Sequence, residues 1–229
     1  MPDDFFAGNR IPSVDFQCLH SHSVNQGILI FNSNAFTDGS GVCGLTGNVT
    51  FRDCNLRQFD AAILANCNQL KNLAFMDSHV DKIINIPTLE SLKNFTVYSP
   101  TTWNDATQKG LSQMSLAPGA SFPLLRYFDL SGNSLGDDSI EFVSQLKIVG
   151  EIHLEGNNFT IVPKLTHLFY LHTVSMTLTS SATEATLFSI FLPKPRTRSR
   201  PLRATFDSFS DQTVHNVASL EGKPQLFMN

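Results

Sequence analysis

Long apolar runs are missing from this chain of 229 residues: the longest, 27–31 and 187–192, fall far short of the roughly 20 residues that a membrane-spanning helix needs. A strong charge of one sign is missing too. Sixteen Lys and Arg against 20 Asp and Glu leave a net charge of −4, too mild to make nucleic acid or a membrane surface the default partner. Cysteine is scarce, with four residues at 18, 43, 54 and 67, and the absence of any C-x-x-C pair gives a structural zinc site little support. No G-x-S-x-G, Walker loop, dinucleotide fingerprint or H-E-x-x-H occurs. The nearest thing to a metal cluster is Cys18, His20 and His22, which alternate along a stretch that reads as a solvated loop. The expectation is therefore a protein that is not an enzyme and holds no metal or cofactor. Residues 1–8 carry acids where an export leader would carry basic residues, so no leader is expected in the chain as written. Against these absences stands a 41% hydrophobic content, ample for a sizeable core.

What is there is a repeat. Residues 125–135 (LRYFDLSGNSL) fill every marked position of L-x-x-L-x-L-x-x-N-x-L, with Phe128 for one leucine, and 149–159 (VGEIHLEGNNF) fill them again with Val, Ile and Phe for three leucines. Weaker copies place equivalent residues at Asn34, Cys54, Ser78, Pro100 and Thr179, beside Asn133 and Asn157. Five of the six intervals between these seven positions lie between 20 and 24 residues, the period of leucine-rich repeats. The long interval from 100 to 133 predicts an insertion around 103–113. Each unit is expected to supply a short strand whose inward side chains can be buried only by stacking on neighbouring units. The inward Asn amides would bond backbone groups of the turns, each bond contributing about 1 kcal/mol net. The ladder should be weakest at Pro100, which cannot donate. The convex side is expected to hold helical or irregular segments at 60–66 and 138–146, the second capped by Asp138.

The fold class expected is thus α/β, a leucine-rich repeat horseshoe with a parallel concave sheet. A partial amino-terminal unit or cap covers 1–25 and the repeat domain 26–182. An irregular or disordered tail covers 183–229, where 193–203 alone holds five basic residues and three prolines. The tail's basic run is read as a solvated segment. Four cysteines allow three pairings of two disulfides. Cys54 reads as a buried free thiol, and a Cys18–Cys43 bridge across the first clear repeat is a candidate. Asn48, Asn94 and Asn158 each begin an N-x-T acceptor for N-glycosylation, with Asn48 and Asn94 at the edge of the concave sheet.

Column by column, the outward positions of the concave strands are Arg52, Met76, Tyr98, Ser131 and Glu155 in one row. Thr50, Ala74, Thr96, Asp129 and His153 form the next, with Tyr127 and Glu151 beside the last two. The candidate protein-binding residues are Arg52, Tyr98, Tyr127, Asp129, Glu151, His153 and Glu155. The last five form an acidic, aromatic patch suited to a basic partner.

Residues 2–11 (PDDFFAGNRI), 51–56 (FRDCNL) and 122–133 (FPLLRYFDLSGN), with Asp137 and Asp138 behind them, carry a family likeness. Over roughly 2–170 the chain resembles arthropod secreted leucine-rich repeat proteins similar to the non-catalytic subunit of Oplophorus-luciferin 2-monooxygenase. In that family catalysis belongs to a separate small subunit, so the resemblance implies an accessory role, a protein partner that could be a small catalytic subunit, and an extracellular location. Relatives carry a signal peptide and further sequence before the PDDFF motif, and the stretch after 182 leaves the pattern. Both departures point to a chain truncated or mis-spliced at its ends. The reading is a non-enzymatic, extracellular accessory or scaffolding protein. The alternatives are an innate-immune module for a microbial glycan or lipid, an intracellular adaptor, and a hydrolase using the His20/His22 region.

Overall fold

The computed structural model describes residues 14–17, 47–52, 54–98, 110–161, 163, 165, 167, 168, 170–178, 203–208 and 225–228. Its architecture is α/β, with parallel strands in two sheets and little helix. Nine strands form the larger sheet: β1 (Val14–Gln17), β2 (Asn48–Arg52), β4 (Asn72–Met76), β6 (Asn94–Tyr98), β8 (Tyr127–Asp129), β9 (Glu151–Phe159), β10 (Thr173–Leu178), β11 (Arg203–Ser208) and β12 (Gln225–Met228), in that order. The strands left over, β3 (Asn55–Asp60), β5 (His79–Ile86) and β7 (Gln113–Leu116), make a second parallel sheet of three. Each strand of either sheet therefore pairs with the next strand of the same sheet along the chain.

Alternation explains the larger sheet. In β2, β4, β6, β8 and β9 the pairs Val49/Phe51, Leu73/Phe75, Phe95/Val97, Phe128/Leu130 and Ile152/Leu154 are buried, while the residues between them face outward. The register aligns these pairs. Val49 stands opposite Leu73, Leu73 opposite Phe95, Phe95 opposite Phe128, Phe128 opposite Ile152 and Ile152 opposite Val174. Slipping any strand by one residue would turn its apolar set outward. At the ends, Val14 pairs with Val49, Val174 with Ala204 and Ala204 with Leu226, so the sheet extends past both limits of 26–182 and includes two segments of the expected tail.

Aromatic rings fill the layer between the sheets. Phe51 and Phe75 stack at 5.0 Å, and Phe59 from β3 meets them edge-on at 5.3 and 5.1 Å. Farther along, Phe95 stacks on Phe128 at 5.7 Å, and Phe142 of the short helix α1 (Ile140–Gln145) closes on Phe128 at 5.3 Å.

The side opposite the larger sheet differs from expectation. It adds strands at 55–60, 79–86 and 113–116 that were not expected, while Ala61–Leu64 and 137–145 turn helically where helical or irregular segments were expected. Asp60 starts the first of these turns by accepting the Ala62 amide at 3.1 Å. Asp138 caps nothing: α1 starts from Ser139 with no side-chain cap bond. Its neighbour Asp137 instead accepts the amides of Thr160 and Ile161 at 2.8 and 3.2 Å and the Thr160 hydroxyl. Because Gln113 already pairs with Lys82 in the second sheet, the added length of the long interval falls before β7, with 99–109 outside the described residues.

Three inward positions hold the turns together. Asn133 accepts the Leu111 amide at 3.0 Å and donates to the carbonyls of Val97, Leu130 and Ser131. Asn157 accepts the Leu135 amide at 3.0 Å and donates to Leu130, Leu154 and Glu155. Ser78 covers the same role with one oxygen, accepting the Cys54 amide at 3.1 Å and reaching the carbonyls of Phe51 and Met76. The residue before each has positive φ: Asp77 at 51°, Gly132 at 69° and Gly156 at 67°. Glycine takes that conformation freely, whereas an L side chain does so at a cost. Cys54, the next such position, is buried and, like Cys67, disulfide-bonded, so it is not the free thiol expected. Asn34, Pro100, Thr179, Cys18 and Cys43 lie outside the described residues.

Candidate functional site

The outward face of the larger sheet carries the expected rows. Asn48, Asn72, Asn94, Tyr127, Glu151 and Thr173 are successive register partners, as are Thr50, Ala74, Thr96, Asp129, His153 and Ser175. Arg52, Met76 and Tyr98 form the third row. The amides of Leu130 and Gly132 donate to the His153 and Glu155 carbonyls at 2.9 and 2.7 Å, which carries β8 and β9 side by side as far as Ser131 and Glu155.

The face divides in two. Across β2, β4 and β6 it is nearly uncharged: the Asn94 amide donates to Asn72, and Asn72 in turn to Asn48. Arg52 stands at this end, 3.9 Å from Asp77 in an exposed pair that contributes little. Tyr98 is 41% exposed and lies alongside Gly132.

On β8 and β9 the other five candidates come together. The Tyr127 hydroxyl donates to Asp129 at 3.0 Å, and the Tyr127 ring lies 5.2 Å from the His153 ring. The second Asp129 oxygen accepts the amide and hydroxyl of Ser131 at 3.0 and 2.7 Å. His153 sits between two glutamates, with Nε2 3.6 Å from Glu151 and Nδ1 3.7 Å from Glu155. Nδ1 also bonds the Ser175 hydroxyl on β10 at 2.9 Å. Ser175 was not foreseen as part of the group; its place between the inward Val174 and Met176 of the degenerate last copy was the available signal.

These contacts set the protonation states. Burial and the adjoining Asp129 carboxylate push the Tyr127 phenol up to about 12. Glu155 raises the His153 pKa above its ordinary value, against the opposing effect of burial and with help from Asp129 and Glu151. Burial alone would raise Glu155, but its contacts with His153 and Ser175 outweigh that and hold the carboxyl low. The patch therefore combines a Glu155 carboxylate held in its charged form, a His153 ring that takes a proton more readily than usual and a phenol that is neutral at neutral pH.

No protein-family model matches the chain, nor does any curated protein or solved structure. The site must be read from its own chemistry.

Among the described residues no group of three or more His, Cys, Asp or Glu is arranged to hold a metal ion, and no described helix is long and apolar enough to cross a membrane. His20 and His22 lie outside the described residues. Of the three glycosylation acceptors, Asn94 and Asn158 are exposed and Asn48 is half-buried. Asn94 stands opposite Tyr127 in the register, so a sugar on it would border the acidic patch.

Proposed function

We propose that this chain is a leucine-rich repeat solenoid that binds a protein partner through the outward, concave face of its larger sheet, without catalysis. The Asn133, Asn157 and Ser78 bonds at one repeated position, each following a residue of positive φ, support the repeat reading. The observation that carries the binding reading is the clustering of Tyr127, Asp129, Glu151, His153 and Glu155 on adjacent strands, half-buried and in register. An aromatic ring flanked by carboxylates suits Lys or Arg side chains of a partner. The role is that of an extracellular accessory or scaffolding protein, in line with the resemblance above. Two buried, disulfide-bonded cysteines and three glycosylation acceptors support an oxidising, secretory route.

The test uses a fluorescent hexa-arginine peptide as a minimal basic partner. Charge reversal at Asp129 and Glu151 together should weaken binding roughly tenfold or more while leaving the circular dichroism spectrum unchanged. Unchanged affinity would dismiss the patch. Expression in insect cells behind an added signal peptide, followed by intact mass before and after glycosidase, tests the compartment. An unglycosylated chain with four reactive thiols would favour an intracellular adaptor.

A further inference from the structure

The cation already inside this patch is His153, and its position gives it a regulatory use. We propose that His153 is a proton-operated internal counter-ion of the concave face, so that a basic partner is held more tightly once the imidazole has lost its proton. The inference rests on the reading that this face takes a basic partner.

The geometry is that of a competitor. The charged groups facing the ring are Glu151 and Glu155 on its own strand and Asp129 with the Tyr127 phenol on β8; from β10 comes only the uncharged Ser175 hydroxyl. When protonated, the imidazolium satisfies two of the three carboxylates that a partner's guanidinium would otherwise meet. When neutral, it leaves all three uncompensated. Arg52 cannot substitute. Four strand spacings separate β2 from β9 in the sheet, roughly 19 Å, and that exceeds the screening length of about 8 Å at physiological salt.

The ring's anchor is indifferent to its charge. The Ser175 hydroxyl can accept from Nδ1–H in the imidazolium and equally in the neutral Nδ1–H tautomer, so the 2.9 Å contact persists in both states and the hydroxyl's one proton stays with Glu155. Protonation thus changes the charge of the face without needing to move the strands. The Tyr127 ring packed against the imidazole restrains it further.

The experiment titrates hexa-arginine binding to the full chain by fluorescence anisotropy between about pH 5.5 and 8, where an imidazole changes charge. Affinity should rise about three- to tenfold with pH in the wild type. His153→Gln should flatten that profile, and His153→Lys, a fixed cation, should hold affinity at the low-pH level throughout. The same pH slope persisting in His153→Gln would overturn the regulation alone and leave the binding face standing. Absence of peptide binding at every pH would overturn both. An NMR titration of the His153 ring with and without peptide supplies the second readout: the peptide should lower the ring's pKa, and an unmoved pKa beside measurable binding would also overturn the inference.

Discussion

The hydroxyl of Ser78 and the carboxamide of Asn157 make the same long-range bond, each donating to a backbone carbonyl 27 residues earlier, that of Phe51 in one case and of Leu130 in the other. Each also accepts an amide from the preceding turn, Cys54 or Leu135. A hydroxyl has one proton to give, whereas the amide has two, so Asn157 ties down three carbonyls where Ser78 reaches two. Asn157→Ala should accordingly cost about 2–4 kcal/mol, because it strands a buried amide and a buried carbonyl together. Ser78→Ala should cost less, about 1–3 kcal/mol, while Ser78→Asn tests whether the larger group can be fitted there. Urea unfolding monitored by circular dichroism measures all three. Equal losses at the two alanine variants would contradict the difference in bonding capacity.

The His153–Glu155 pair predicts a stability optimum in mildly acidic solution. A histidine whose pKa is raised by folding stabilises the protein below its unfolded value of 6.5, and that contribution is lost as pH rises through the folded value. A glutamate whose pKa is lowered stabilises above 4.5, and its contribution is lost as pH falls through the folded value. Both act together between those two reference values. Melting temperatures of the wild type against His153→Gln and Glu155→Gln should differ most within that window and converge above it for the histidine variant. Parallel curves across the whole range would mean that the pair is not coupled to folding.

Tyr127 should ionise late. Its phenol is pushed up to about 12 by burial and by Asp129, so ultraviolet difference absorbance should resolve a late step that Tyr127→Phe removes. Because the folded state resists ionisation from the ordinary value of 10 upward, stability should decline between about pH 10 and 12, less steeply in the Phe variant. Asp129→Asn should bring the step down by removing the carboxylate charge, even though the amide oxygen can still accept the phenol proton.

Much of this was legible beforehand, and the reasons are local. Asn133 and Asn157 announce their positions because the surrounding apolar spacing is complete, and the outward rows follow from strict alternation once the period is known. The second sheet was not legible. Residues 55–60 (NLRQFD) and 113–116 (QMSL) are short and mostly polar, too brief for periodicity to separate strand from helical turn. The expected Asp138 cap is missing for another reason. Two acids before a short helix look like a cap, but the carboxylate at 137 spends its bonds on Thr160 and Ile161 in the next turn, a contact that no local pattern encodes. Within the patch, Ser175 escaped because its copy of the repeat is degenerate, with Val174 and Met176 where leucines would stand.

The row of amides from Asn94 to Asn48 gives the outward face a head and a tail. Its β2–β4–β6 end is bonded within itself and nearly uncharged, while its β8–β9 end carries the carboxylates. An elongated guest with positive charge at one end would feel a torque before contact, turning lengthwise until that end met Glu151 and Glu155. Direction along the sheet would then be chosen during approach, and the fit of side chains would be left to settle only the final seating.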